Sequence, residues 1–281
     1  MIIEPDIANS VMPAQAQMLF TALAGIPMLV VLCIAIMHVV RKGAPLLLVH
    51  GEFGLPGWTQ ACAALAEHFD VIAPSLPGYG GSTRPDWIMG VRDLAAWITW
   101  FARDMNIPTP VNVMGLSIGG WALAEIATIA PEFVRKMLLC GPMGLKPEKG
   151  EIFDYFLESG LTGLRRSFHK PNDSVEFVHY WGGELSADDI DLIDQNREMT
   201  CRIAWKPWMH SLTLRPLLKG VRTPTLIVQG ANDSITPLNC GELYRDAIPG
   251  ADLVTVENCG HMVEMEKPQE FAALARRFFE A

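Results

Sequence analysis

Ser117 sits in Gly115-Leu116-Ser117-Ile118-Gly119, a G-x-S-x-G pattern with an apolar run, Val111 to Met114, before it and helical periodicity from Ile118 to Ala130 after it. That strand-to-helix context is what gives the short pattern meaning. A sharp turn between the two elements lifts a serine hydroxyl above the sheet. It also aims the backbone N–H of Ile118, at the helix N-terminus, toward charge developing on a carbonyl oxygen. The chemistry this offers is acyl transfer to a serine, which needs a base to take the hydroxyl proton.

Seven histidines compete for that role: His38, His50, His68, His169, His179, His210 and His261. His261 follows Asn258-Cys259-Gly260 directly after the last expected strand, Leu253 to Glu257, where a loop at the carboxyl end reaches the site. His50 also ends a strand, and the glycines after it suit it to shaping a turn. The base in turn needs a carboxylate to hold its tautomer. Asp233, in Gly230-Ala231-Asn232-Asp233 after the strand Thr225 to Gln229, provides one, and the order Ser117, Asp233, His261 is the one this fold uses. No acid follows the strand ending at Cys140, where Gly141-Pro142-Met143 stands instead. Glu264 and Glu266, so close to His261 in sequence, suit helix-capping or solvated roles. A second oxyanion donor is expected from His50-Gly51-Glu52-Phe53-Gly54, as the backbone N–H of either Glu52 or Phe53; spacing does not choose between them.

Short apolar runs at Leu46 to Val49, Val71 to Ala73, Val111 to Met114 and Lys136 to Cys140 alternate with helical stretches at Trp58 to Phe69, Val91 to Met105 and Ile118 to Ala130. Strands apolar on both faces, alternating with helices, specify an α/β fold with a doubly wound, mostly parallel sheet. The pattern breaks between Pro142 and Leu214, where helices are expected near Glu151–Ser159, Ser174–Trp181 and Ala187–Thr200, and resumes with Thr225 to Gln229 and a closing helix from Pro268. This divides the chain into a hydrophobic segment, 1–43, a core of 44–141 and 215–281, and a helical cap, 142–214. Trp181, Trp205, Trp208, Met143, Met199, Met209 and Phe153 are expected to form mainly the interior of the cap.

The 281 residues carry a net charge of −9, which argues against a nucleic-acid partner. Six scattered cysteines, without C-x-x-C or metal spacing, read as buried reduced thiols, Cys259 included. Mean hydropathy is high at +0.21, and its source is Met18 to Val40, a run with no formal charge followed by Arg41-Lys42. That run reads two ways. It is long enough to span a membrane, with the basic pair keeping the following domain cytoplasmic. Its β-branched end, Ile34 to Val40, also suits a buried strand, with Gly25 and Pro27 marking a turn before it.

From about Pro45 onward the chain resembles the α/β-hydrolase superfamily. The matching residues are His50-Gly51, the turn Pro77-Gly78-Tyr79-Gly80-Gly81-Ser82, the elbow around Ser117, Gly230-x-x-Asp233, and Gly260-His261 followed by Glu264, Glu266 and Pro268. It is most similar to the capped group that includes meta-cleavage-product hydrolases, small-ester hydrolases and epoxide hydrolases, with the cap inserted after the family's sixth strand. A serine at the elbow departs from epoxide hydrolases and haloalkane dehalogenases, which carry aspartate there. The greasy segment also replaces the family's usual polar opening hairpin. The resemblance implies hydrolysis of a small-molecule substrate through an acyl-enzyme, or a substrate-assisted variant for carbon–carbon bonds, with no metal or organic cofactor. The expected substrate is a small, mostly apolar ester, lactone, thioester or vinylogous diketone. A membrane-associated lipase is the second enzyme reading, and a non-catalytic receptor or scaffold on the same fold is the reading from another class.

Overall fold

The computed structural model describes residues 37–40 and 43–281. Its centre is a seven-stranded sheet of order β1-β3-β2-β4-β5-β6-β7. The strands are β1 (Met37–Val40), β2 (Ala44–Val49), β3 (Phe69–Pro74), β4 (Val111–Leu116), β5 (Val134–Cys140), β6 (Thr225–Gly230) and β7 (Asp252–Val256). β1 runs antiparallel to β3, and the other six are parallel.

The alternation of side chains along a strand sorts the core into two layers. Leu47 and Val49 of β2 pack under α2 (Val91–Asp104) and α3 (Ile118–Ile129), whereas Leu46 and Leu48 face α1 (Gln60–Ala66) and α10 (Pro268–Glu280). Both sets are almost entirely buried, each large apolar side chain contributing about 1.5–3 kcal/mol. This is why the strands read as continuous apolar runs. The sheet changes winding direction between β2, whose next strand lies to one side, and β4, which lies to the other. The crevice above the carboxyl ends of β2 and β4 is where doubly wound folds bind ligands.

Between β5 and β6 the chain makes a helical excursion: α4 (Gly160–Arg166), α5 (Val175–Trp181), α6 (Ala187–Ala204) and α7 (Leu214–Leu218). Ser159, Ser174 and Ser186 cap the first three, and Ser186 with Asp189 forms a reciprocal capping box. The expected helix over Glu151–Ser159 is absent. Those residues form turns because their backbone is claimed by tertiary partners, Phe153 N–H by Ile235 O at 2.9 Å and Tyr155 O by Arg197 Nη1 at 2.7 Å. Trp181, Met143, Met199 and Met209 are interior as expected, but Trp205 is 56% exposed. The remaining helices are α8 (Asn239–Ala247), which the sequence pattern did not signal, and the single turn α9 (Val263–Glu266).

The apolar run Met18–Val40 is split by this architecture. Its last four residues are strand β1, with Met37 opposite Pro74 and Val40 opposite Val71, so a spanning helix does not continue through Val40. Residues 18–36, Cys33 among them, and Arg41 and Lys42 lie outside the described residues. Among the described residues no helix is long and apolar enough to cross a membrane.

Candidate active site

Ser117 joins β4 to α3 with φ 49° and ψ −114°, a left-handed backbone strained for a residue with a side chain. The strain is tolerated because the turn is held on both sides. Ser117 N–H donates to Cys140 O at 2.8 Å, and Ser117 O accepts from Trp121 N–H at 3.2 Å and from Met143 N–H at 3.3 Å. Close packing explains the glycine at 119: a Cβ there would stand 2.4 Å from Val49 O, so only glycine lets α3 start against the end of β2. The loop after β2 reaches the serine as well, since a Cβ on Gly51 would lie 3.3 Å from Ser117 Cβ.

His261 leaves the loop after β7 with its imidazole 2.8 Å from Ser117 Oγ through Nε2 and 2.8 Å from Asp233 Oδ2 through Nδ1. In the neutral ring, Nδ1–H donates to Asp233 and Nε2 accepts from the serine hydroxyl. Gly141 makes room for the ring; with φ 51°, a Cβ there would fall 2.9 Å from Cε1 and Nδ1. Asp233 is held by its own turn. Oδ1 accepts from the backbone N–H groups of Ile235 and Thr236, both at 2.9 Å, and Oδ2 accepts from Thr236 Oγ1 at 2.7 Å. Three loops from β4, β6 and β7 therefore bring the expected hydroxyl, imidazole and carboxylate into one connected row. Such a row can move a proton from the hydroxyl to the ring while the carboxylate steadies the resulting cation.

The loop after β2 brings something the sequence did not signal. Glu52, weighed only for its backbone N–H, turns its carboxylate into the site and is fully buried. Oε1 lies 3.5 Å from His261 Nε2 and accepts from Tyr155 O–H at 2.8 Å; Oε2 makes no hydrogen bond. His261 thus faces a carboxylate on each side. Burial disfavours its cation, but Asp233 first and Glu52 second outweigh that and hold its pKa well above the ordinary imidazole value. Burial likewise works against the Glu52 carboxylate, and His261, with a smaller contribution from the Ser117 hydroxyl, outweighs it, holding Glu52 below the usual range. An acid in an otherwise apolar H-G-x-x-G loop was the available clue to this side chain. Tyr155, in the stretch read as helix, offered none.

The segment between β5 and β6 roofs the row and grips the same loop. Thr200 Oγ1 donates to Glu52 O at 3.2 Å, and Asn196 Nδ2 donates to Phe53 O at 2.7 Å. Ser117 and His261 keep only 4% and 3% of their surface exposed. A cavity of about 10 Å³ touches Glu52, Ser117, His261 and Glu264, room for about one water.

The neighbouring acids and histidine are placed differently from expectation or with more detail. Glu264 is buried rather than solvated, and burial raises its pKa to about 7; Cys140 Sγ lies 3.9 Å from Oε2. Glu266 ties two segments together, accepting from the backbone N–H of Gly260 at 2.7 Å and of His169 and Lys170 at 3.0 Å each. His50 shapes its turn: Nδ1–H donates to Gly51 O at 2.8 Å and Nε2 accepts from Leu76 N–H at 2.9 Å. Cys259 is buried, which pushes its thiol up and keeps it protonated.

The family model described as "Alpha/beta hydrolase family" matches residues 46–274. The 2-hydroxy-6-oxo-6-(2'-aminophenyl)hexa-2,4-dienoic acid hydrolase of Metapseudomonas resinovorans is 26% identical over 243 residues, covering 82% of each chain. The pimeloyl-[acyl-carrier protein] methyl ester esterase of Yersinia pseudotuberculosis is 26% identical over 253 residues, covering 84% of this chain and 93% of its own. Among solved structures, a membrane phospholipase A described as a bacterial virulence factor superposes with a TM-score of 0.65 at 24% identity, over 95% of this chain and 90% of its own. The chain belongs to the alpha/beta hydrolase family, and it is an enzyme of the hydrolase class.

Proposed function

We propose that Ser117 is the nucleophile of a serine hydrolase acting on a small, mostly apolar ester, lactone, thioester or vinylogous diketone. The observation that carries this reading is the pair of 2.8 Å contacts linking Ser117, His261 and Asp233. Ser117 Oγ attacks the carbonyl carbon as His261 Nε2 takes its proton, and Asp233 stabilises the imidazolium. The backbone N–H of Ile118, with that of Glu52 or Phe53, receives the developing oxyanion. His261 then protonates the leaving group, and a water activated by the same ring releases the acyl product and restores the serine. Residues 142–214 act as the cap over this core.

The named activities of the relatives, dienoate cleavage and methyl-ester cleavage, support both the carbon–carbon and the ester arms of this reading. The test is covalent labelling by a fluorophosphonate probe, expected for the wild type and lost in Ser117→Ala with the fold retained. Labelling that persists in Ser117→Ala overturns the assignment. A p-nitrophenyl ester chain-length panel, run beside a meta-cleavage product, decides between the two arms.

The uncharged run from Met18 supports a second version, a membrane-associated lipase whose catalytic domain is anchored at the cytoplasmic face. Retention in the membrane pellet after carbonate extraction is the expected result; release into the supernatant overturns it.

A further inference from the structure

Glu52 is left over once the Ser117, His261 and Asp233 roles are assigned. It is a fully buried carboxylate with one oxygen tied to Tyr155 O–H at 2.8 Å and the other without any hydrogen bond. Desolvating a carboxylate and leaving an oxygen unbonded is costly in a fold that satisfies its other buried polar groups so widely. A residue placed only to fill space would be apolar.

The position of the carboxylate says what it meets when Ser117 acts as proposed. Oε1 stands 3.5 Å from His261 Nε2, the nitrogen that hands its proton to the departing alcohol when Ser117 is the nucleophile. The carboxylate therefore flanks the leaving group. The local charges do not cancel. Asp233 and Glu52 face one imidazole, and the Glu264 carboxyl borders the same small cavity. Three arginines of the segment between β5 and β6 are engaged elsewhere. Arg197 binds Asp194 at 3.0 Å and Tyr155 O, Arg166 lies 5.4 Å over the Phe153 ring, and Arg165 lies 5.4 Å over Phe177. Among the described residues the only cation paired with Glu52 is His261 itself.

We propose that Glu52 is a specificity-determining residue which selects esters whose alcohol portion carries an ammonium group and rejects those whose alcohol portion carries a carboxylate. The proposal deepens the serine-hydrolase reading and rests on it. An ammonium beside the scissile oxygen gives Oε2 the partner that the free site withholds, in a water-poor enclosure where charge interactions are strong. A carboxylate in the same place meets like charge. Tyr155 O–H, which burial keeps protonated, orients Oε1 and leaves Oε2 to the substrate.

Three butyrate esters that differ only in the alcohol test this: butyrylcholine, its uncharged isostere 3,3-dimethylbutyl butyrate, and carboxymethyl butyrate. Their kcat/KM values are compared by pH-stat at one pH. Within a single enzyme form, a ratio of kcat/KM values cancels the ionisation of free His261, so it separates recognition from a general effect on the base. The wild type is expected to favour the cationic ester over the neutral one by about 10-fold or more and to disfavour the anionic one similarly, with both ratios collapsing toward unity in Glu52→Gln. Tyr155→Phe, which keeps the carboxylate, retains the order. Equal ratios in the wild type, or ratios unchanged in Glu52→Gln while all three rates fall together, overturn the proposal. Should Glu52→Gln fail to fold, the wild-type order decides alone, and an anionic ester processed as well as the neutral one overturns it. Cleavage of p-nitrophenyl butyrate by the wild type but not by Ser117→Ala reports the serine-hydrolase reading separately. A chain that cleaves that ester yet shows flat ratios sinks only the Glu52 inference, and one that cleaves none of the esters sinks the Glu52 inference while fluorophosphonate labelling of Ser117 decides the serine-hydrolase reading.

Discussion

The loops after β2 and β7 each deliver a buried histidine to the same edge of the sheet, and the two rings meet opposite surroundings. His50 makes its direct contacts with neutral groups: it donates to Gly51 O, accepts from Leu76 N–H and stands edge-on to Tyr79 at 5.1 Å. Burial dominates there and lowers its pKa to about 4, against smaller opposing effects from Gly51 O and Glu52. His261 is as deeply buried, yet Asp233 and Glu52 reverse the outcome. Burial alone thus does not decide whether a histidine handles protons. What faces its two nitrogens does: a carbonyl and an amide fix a neutral tautomer that braces a turn, whereas two carboxylates and a hydroxyl make a proton-accepting centre.

The widest gap between the two should appear in turnover. His261→Ala is expected to lower kcat by about 10⁴-fold or more, as removal of a base does in other such rows. His50→Phe should stay within about tenfold in kcat and instead lower stability by about 1–3 kcal/mol, because Leu76 N–H loses its acceptor. Equal losses of kcat in both variants, at matched folding, would erase the distinction.

The pH profile sharpens it next. Asp233 and Glu52 favour the cation of His261 and raise its pKa above the ordinary imidazole value, so the acid limb of kcat/KM should lie above pH 6.5, higher than an ordinary imidazole would put it. Glu52→Gln removes one of the two carboxylates and should move that limb to lower pH. A limb that stays put would show Asp233 acting alone.

Stability should show the opposite sign for the other ring. His50 has a folded pKa of about 4 against 6.5 unfolded, so the unfolded chain binds more protons between those values. Its contribution is complete above pH 6.5 and falls by roughly 3 kcal/mol as pH drops toward 4. Glu264, raised to about 7, slopes the other way over much of that window, so the measurement must be a difference. The stability gap between wild type and His50→Phe, from urea unfolding, should widen as pH rises from 4 to 6.5 and level off above it.

The smallest effect is expected where the roof touches the β2 loop. Thr200→Val removes the hydrogen bonds of Oγ1 to Glu52 O and to the Tyr79 hydroxyl, worth about 1 kcal/mol each, and should change kcat/KM by only a few-fold. A loss as large as that of His261→Ala would mean that these contacts, and not the charges, organise the site.

Much of this arrangement was legible because it rests on local chemistry. The elbow around Ser117 requires glycine at 119 for a close approach, and such constraints leave a mark in the sequence. Asp233 and His261 follow strands whose apolar runs are unbroken, so their place at the sheet edge could be read. His50 was separated from His261 by the glycines after it. What stayed hidden depends on contacts between distant segments. Residues 151–159 look helical, but Ile235 and Arg197 claim their backbone, and that is how Tyr155 comes to meet Glu52 across 103 positions. Glu52 was placed in the correct loop, but the direction of its side chain depends on Tyr155 and His261, which no local pattern contains.

The near-complete enclosure of the serine has a consequence for access. A chamber with space for about one water is smaller than any substrate of the proposed class, so on that reading the segment that carries Asn196 and Thr200, or the loop it grips, has to shift for entry and again for egress. Between those moments an acyl group carried on Ser117, as proposed, would be shut away from bulk solvent and from competing acceptors. An alteration in that segment, far from the serine, would then be expected to change the rate of entry or release without touching the chemistry.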